Sequence, residues 1–266
     1  MSRELMSHFS LTAMPFDKEI ATAQLLDLPT IKRALSSLRL LVETRGIGLL
    51  TGKSGSGKSC LLRKLLGELN GNLYKPLYLC HTSVGLTEFY SHLCVALGLI
   101  PAGRKATMFR MIKDRLLQLH TQARVHPVLV IDEAHLLSNE VLADLRLLTN
   151  FEIDSTNALT VLLCGQESLS QKFGLTILES LANSITISVL TQSLPKEETV
   201  GYIEARLTTC GGSSGIFTKN ALTLIHQSSM GILRSIGTIA TASMHQAMVT
   251  NSATVETEHV QTVIKR

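Results

Sequence analysis

The sequence predicts a three-layer αβα sandwich with a parallel five-stranded sheet, followed by a small C-terminal α-helical lid, and three observations carry that expectation. Strand-sized apolar runs alternate with helical periodicities between Gly46 and Val189. A glycine-rich stretch, Gly52 to Ser59, stands between the first of those runs and a helical pattern. After Leu190 every apolar pattern is helical. The expected division is an N-terminal arm over 1–30, an α/β domain over 31–190 and a helical lid over 191–266.

Taken in order, residues 1–30 place Phe9, Leu11, Pro15 and Phe16 in no regular period and read as an irregular arm. Ile31, Ala34, Leu35, Leu38 and Val42 recur at helical spacing with Lys32, Arg33 and Arg39 opposite, which predicts an amphipathic helix over 31–43. Gly46 to Thr51 is an apolar strand, and Cys60, Leu61, Leu62, Leu65, Leu66 and Leu69 set the helix after it. A second strand over 77–80 follows Pro76, and helices over 86–97 and 107–122 are parted by a Gly/Pro turn. Val128 to Ile131 is a buried strand, 139–151 a helix, 159–164 another apolar strand, and 185–189 alternates as a fifth. Helices over 197–207, 219–227, 232–248 and 258–264 close the chain, with Gly211-Gly212-Ser213-Ser214-Gly215 as a flexible connection between two of them.

Composition narrows the class. Of 266 residues, 45% are hydrophobic and 17% charged, which fits a globular chain with a sizeable core. No apolar run approaches the roughly 18 residues that cross a bilayer. Arg3, Glu4, His8 and Asp17 interrupt what would have to be a secretory signal, so no membrane and a cytoplasmic location are expected. The five cysteines include no C-x-x-C pair and read as buried thiols. A net charge of +4 leans slightly toward a polyanionic partner, while 4% aromatics without Trp disfavour stacking on single-stranded bases.

The glycine-rich stretch fits G-x-x-x-x-G-K-[ST] and sits between a strand and a helix start, where that pattern works. Glycines let backbone N–H groups turn toward phosphate oxygens, and the following helix adds its positive end. Nucleotide contacts are therefore expected at Gly52, Lys53, Ser54, Gly55, Ser56, Gly57, Lys58, Ser59 and Cys60, with ATP and Mg²⁺ as the ligands. Lys58 would reach the β/γ-phosphates and Ser59 the Mg²⁺. Four apolar strand residues ending in Asp132-Glu133 supply the second half: Asp132 for the metal shell, Glu133 to orient or polarise the attacking water. Gln166, just past the strand ending in Cys164, and Arg234, at the start of a late helix, could sense the γ-phosphate; each reads equally as a surface residue.

At this point the chain resembles the AAA+ ATPases of the ExeA-like branch, and within it the ATP-binding subunits of bacterial transposons related to TnsC, TniB, IstB and MuB. The resemblance spans nearly the whole sequence. It rests on Phe9-Ser10-Leu11-Thr12 with Pro15-Phe16 and Lys18-Glu19, the loop from Leu50, Val130-Ile131-Asp132-Glu133-Ala134-His135, Leu145 to Glu152, Gly165-Gln166, and Gly231-Ile232-Leu233-Arg234. It implies Gln166 and Arg234 as sensors, ATP-driven homo-oligomers or filaments on double-stranded DNA, and a DDE-type transposase as partner. It also places a DNA-facing surface after the second strand, here Arg104, Lys105 and Thr107 with Arg110 and Lys113 beside them. Those charges suit phosphate contacts, and they also suit an ordinary solvated helix face.

Two positions depart from the family. Leu181-Ala182-Asn183-Ser184-Ile185 carries Asn and Ser where members usually place an arginine finger before the fifth strand, and Leu233 replaces the usual proline before Arg234. Either Arg206 or another basic residue substitutes, or hydrolysis is slow and nucleotide acts mainly as an assembly switch. The leading expectation is a transposition helper ATPase. The alternatives are a secretion-associated ATPase of the same branch, whose members continue into a membrane span, a replication initiator, and a nucleotide-switch regulator with little turnover.

Overall fold

A computed structural model describes residues 2–17, 28–80, 82–152 and 155–265. Contacts divide the chain into two units: an α/β unit of Ala34–Ser54 and Leu61–Thr191, and a helical unit of Met1–Arg33, Gly55–Cys60 and Gln192–Arg266.

The α/β unit is built on five parallel strands: β1 (Ile47–Thr51), β2 (Tyr74–Leu79), β3 (His126–Ile131), β4 (Thr160–Gly165) and β5 (Ile185–Leu190), in the order β2-β3-β4-β1-β5. The parallel sheet and flanking helices are those the sequence predicts. The three inner strands are buried along their whole length, as expected for strands covered on both faces. Pro76 lies in the edge strand β2, where a missing N–H is tolerated. On one face Leu49, Leu129, Ile131, Val161 and Leu163 share a core with α4 (Leu86–Ala96), α5 (Lys105–Thr121) and α6 (Asn139–Thr149). Val128, Val130, Leu162 and Cys164 alternate with these residues and are buried on the other face. Gly48 faces the helix over 29–44, where a Cβ would fall 2.1 Å from Leu41 Cδ2; only glycine allows that approach.

At the opposite, amino-terminal edge of the sheet, His126 is buried and its Nε2 lies 2.8 Å from Thr160 Oγ1. Burial, with Arg45 and His120 nearby, pushes its pKa down to about 4. Cys94 and Cys164 are buried as expected, whereas Cys80, just past β2, is exposed.

The helical unit packs α9 (Lys196–Thr209), α10 (Lys219–Ser229), α11 (Leu233–Val249) and α12 (Thr257–Ile264) around Ile203, Leu207, Ile225, Ile236, Met244 and Val260. Gly231, at φ +70°, accepts a hydrogen bond from Leu194 N at 2.9 Å; a Cβ there would fall 2.2 Å from Leu194 O.

Two expectations need correcting here. The N-terminal arm is not irregular throughout: Ser2–His8 is a helix, and Leu5, Phe9 and Leu11 join the helical unit's core. His8 Nε2 donates to Ser252 O at 2.8 Å, and Thr12 N to Cys210 O at 2.8 Å. The glycine–serine stretch is a packed turn rather than a flexible connection, because a Cβ on Gly212 would fall 2.5 Å from Leu11 Cδ2, and Ser213 Oγ accepts from Gly215 N. Lys18-Glu19 lie outside the described residues.

Candidate functional site

The loop after β1 has the backbone that its glycines foretell. Gly52, Gly55 and Gly57 take φ values of +153°, +80° and +99°, a region costly for L-residues, and Lys58 then opens the helix α3 (Lys58–Glu68). Ser59 and Cys60 occupy its first turn. Such a glycine-kinked turn opening a helix is the shape that cradles phosphates, so this chain's residues fit a nucleotide. Within the helical unit the loop meets the start of α11: Arg234 N donates to Gly55 O at 3.1 Å, and Leu233 Cδ1 lies 2.7 Å from where a Cβ of Gly57 would stand. The Arg234 side chain is exposed there.

In the sheet, β4 lies between β1 and β3, with Thr51 paired to Gly165 and Ile131 to Leu163. Gly52, Asp132 and Gln166 therefore leave the sheet at one edge, the carboxyl ends of parallel strands, where ligands of such folds bind. Gln166 is exposed directly beyond β4.

Asp132 is 8% exposed, and each of its carboxylate oxygens accepts a hydrogen bond. Its Oδ2 accepts from the Tyr78 hydroxyl at 2.9 Å and its Oδ1 from Glu133 N at 2.9 Å. Burial and the neighbouring carboxylate hold the Tyr78 phenol above its ordinary pKa, so it acts as a donor. Glu133 is exposed in a left-handed conformation, φ +52°. Thr82 Oγ1 donates to Glu133 O at 3.0 Å, and Lys172 Nζ donates to His135 O and Leu137 O at 2.7 and 2.8 Å. Gly165 passes His135 N at 3.1 Å from its would-be Cβ. A side chain at φ above zero persists when its surroundings fix it, and these contacts do so. Tyr78, Thr82 and Lys172 escaped the sequence reading because nothing local pairs them with residues 132–137.

The basic segment after β2 divides. Arg104, Thr107 and Arg110 are exposed at the start of α5. Lys105 has a partner within the protein: its Nζ is 2.6 Å from Asp144 Oδ2, which also accepts from the Tyr90 hydroxyl at 2.8 Å. Lys113 donates to Asn150 O and lies over the Phe151 ring at 4.6 Å, and burial lowers its pKa. Arg206 does not suit a finger. It is 3% exposed, and its Nε donates to Pro15 O at 2.6 Å. Asn183 and Ser184 precede β5 as the sequence has them.

A parallel sheet feeding a G-x-x-x-x-G-K-S loop into a helix, with an acid pair just past the strand one removed from it, is the architecture of a P-loop NTPase. The profile of a family described as AAA domain matches residues 40–173, and the chain belongs to that family. Among curated proteins it is similar to general secretion pathway protein A of Aeromonas hydrophila, 34% identical over 215 residues, which cover 80% of this chain and 39% of the relative's length. This chain thus corresponds to about two fifths of that protein. Among solved structures it is similar to the Aeropyrum pernix ORC2 protein in its ADPNP–ADP complexes, at TM-score 0.70 and 15% identity over 95% of this chain and 71% of the other. The A. pernix ORC1 protein in complex with DNA matches at TM-score 0.63 and 18% identity, covering 91% of this chain and 68% of the other. These structural likenesses show the fold.

Among the described residues no helix is long and apolar enough to cross a membrane.

Proposed function

We propose that this chain binds and hydrolyses ATP, and that the nucleotide state lets it assemble on duplex DNA as the ATP-binding helper of a DDE-type transposase. The observation that carries the nucleotide reading is the loop, whose glycines at φ +80° and +99° lead into the first turn of a helix, as a phosphate cradle does. In this reading amides from Gly52 to Cys60 surround the phosphates, Lys58 neutralises the β/γ charge, and Ser59 and Asp132 hold Mg²⁺. The metal supplies charge neutralisation at the phosphoryl oxygens. Glu133 orients and polarises the attacking water, while Gln166 and Arg234 read the γ-phosphate.

The DNA part is supported by the resemblance over Leu145 to Glu152, by a fold neighbour solved with DNA, and by exposed Arg104, Thr107 and Arg110 on one helix start. The buried Arg206 favours slow turnover, with ATP acting as an assembly switch, because an arginine finger contributes ~10³–10⁵ in rate where present. The test is salt-sensitive retention of duplex DNA by the purified protein with and without ATP and Mg²⁺, for wild type, Lys58→Ala and Arg104→Ala/Arg110→Ala. ATP-dependent retention lost in both variants is the expected result; identical retention in every arm refutes the proposal.

The 34% identical secretion relative favours a second reading, an ATPase serving a secretion apparatus. Nucleotide-independent fractionation with membranes, together with failure to retain DNA, would select it.

A further inference from the structure

The carboxylate of Asp132 is pinned at both oxygens. Glu133 N–H fixes Oδ1 at 2.9 Å, and the Tyr78 hydroxyl fixes Oδ2 at 2.9 Å. The first bond is made by the next residue's backbone and survives any side-chain change. The second comes from a different strand: Tyr78 is in β2, whose Leu79 pairs with Ile131 of β3, so the phenol reaches across the ladder to the residue just beyond it. Leu79 O also accepts from Asp132 N at 2.8 Å, which locks the two strand ends in register.

A carboxylate has about four acceptor sites, so two donors orient its plane and still leave a lone pair on each oxygen for a cation or its water shell. Tyr78 is 49% exposed, which makes it poorly placed as a core residue and leaves the hydroxyl contact as its distinguishing feature.

We propose that Tyr78 is a positioning residue for the metal: by holding Asp132 Oδ2, it sets the carboxylate geometry with which the chain binds Mg²⁺ alongside nucleotide. This rests on the reading of Asp132 given above. Partners that hold a metal-binding group in place are worth about 10–100-fold in metal affinity. Because water can reach the half-exposed site and replace part of the bond, the lower end applies here, roughly tenfold.

The experiment titrates Mg²⁺ into the full chain with a fluorescent ATP analogue and reads the Mg²⁺ concentration at half-saturation of the metal-dependent signal, for wild type, Tyr78→Phe and Asp132→Asn. Binding of the same analogue in EDTA reads the intact loop and fold. Tyr78→Phe keeps the ring and removes one oxygen, so EDTA binding should match wild type while the half-saturating Mg²⁺ rises about tenfold. A Mg²⁺ requirement within twofold of wild type, with Asp132→Asn shifted, overturns the role of Tyr78 and leaves that of Asp132 standing. Wild type and Asp132→Asn titrating alike overturns the assignment of Asp132, and the role of Tyr78 with it.

Discussion

Replacing Gly55 by alanine tests the loop most directly. An L-residue at φ +80° costs about 1–2 kcal/mol. The new methyl would lie 2.7 Å from Arg234 Cβ, well inside the roughly 3.5–4.0 Å of a carbon–carbon contact. Both atoms are fixed to backbone, so no rotamer relieves the clash, and the start of α11 must retreat. That retreat stretches the 3.1 Å bond from Arg234 N to Gly55 O, a further ~1 kcal/mol. The sum is about 2–3 kcal/mol, or about 30–150-fold against the native loop geometry. Titration with a fluorescent ATP analogue should show that loss. Gly103→Ala is the control, since nothing stands within 4 Å of its Cβ. Nucleotide affinity of Gly55→Ala within threefold of wild type would refute the claim that this backbone shape is what binds phosphate.

Glu133→Gln should bind ATP as wild type does and lose about 10²–10⁴ in phosphate release; equal turnover would remove Glu133 from the chemistry. His126 predicts acid sensitivity: the unfolded imidazole takes its proton near pH 6.5, the folded one only at about 4. Between those values the unfolded state binds more protons, so stability falls as pH drops, by roughly 3 kcal/mol over the window. Urea midpoints at pH 7.5 and 5 should therefore differ less in His126→Gln than in wild type. Arg206→Ala should lower the melting temperature through loss of the buried bond to Pro15, a cost of about 2 kcal/mol. Unchanged melting with hydrolysis lost would mark Arg206 as a finger after all.

The legible parts of this protein are those written in short windows. Val128 to Ile131 followed by two acids, and the loop between β1 and α3, need only a dozen residues each to declare strand, turn and helix. Partners chosen by register or by distant chain were not legible. Tyr78 meets Asp132 because β2 and β3 align Leu79 with Ile131, and no pattern near either residue encodes that pairing. Lys105 looked like a solvent-facing cation, yet Asp144 of another helix claims it. The first helix shows no clean period of its own, since its amphipathic face is completed by residues hundreds of positions away. Glycines in Gly211–Gly212 were read for freedom, whereas Leu11 uses their lack of side chain as room to pack.

The sewing of residues 2–17 into the last third of the chain has a consequence for biosynthesis. His8 binds Ser252, 244 positions later, and Thr12 binds Cys210. At ribosomal speeds of about 5–20 residues per second, His8 and Thr12 wait about 10–50 s for those mates to be made. The segment from Ala34 to Thr191 can acquire its sheet during translation, while Leu5, Phe9 and Leu11 stay uncovered until the final helices emerge. A nascent chain of this protein thus carries Leu5, Phe9 and Leu11 uncovered through that interval, which is when a chaperone would have most to hold.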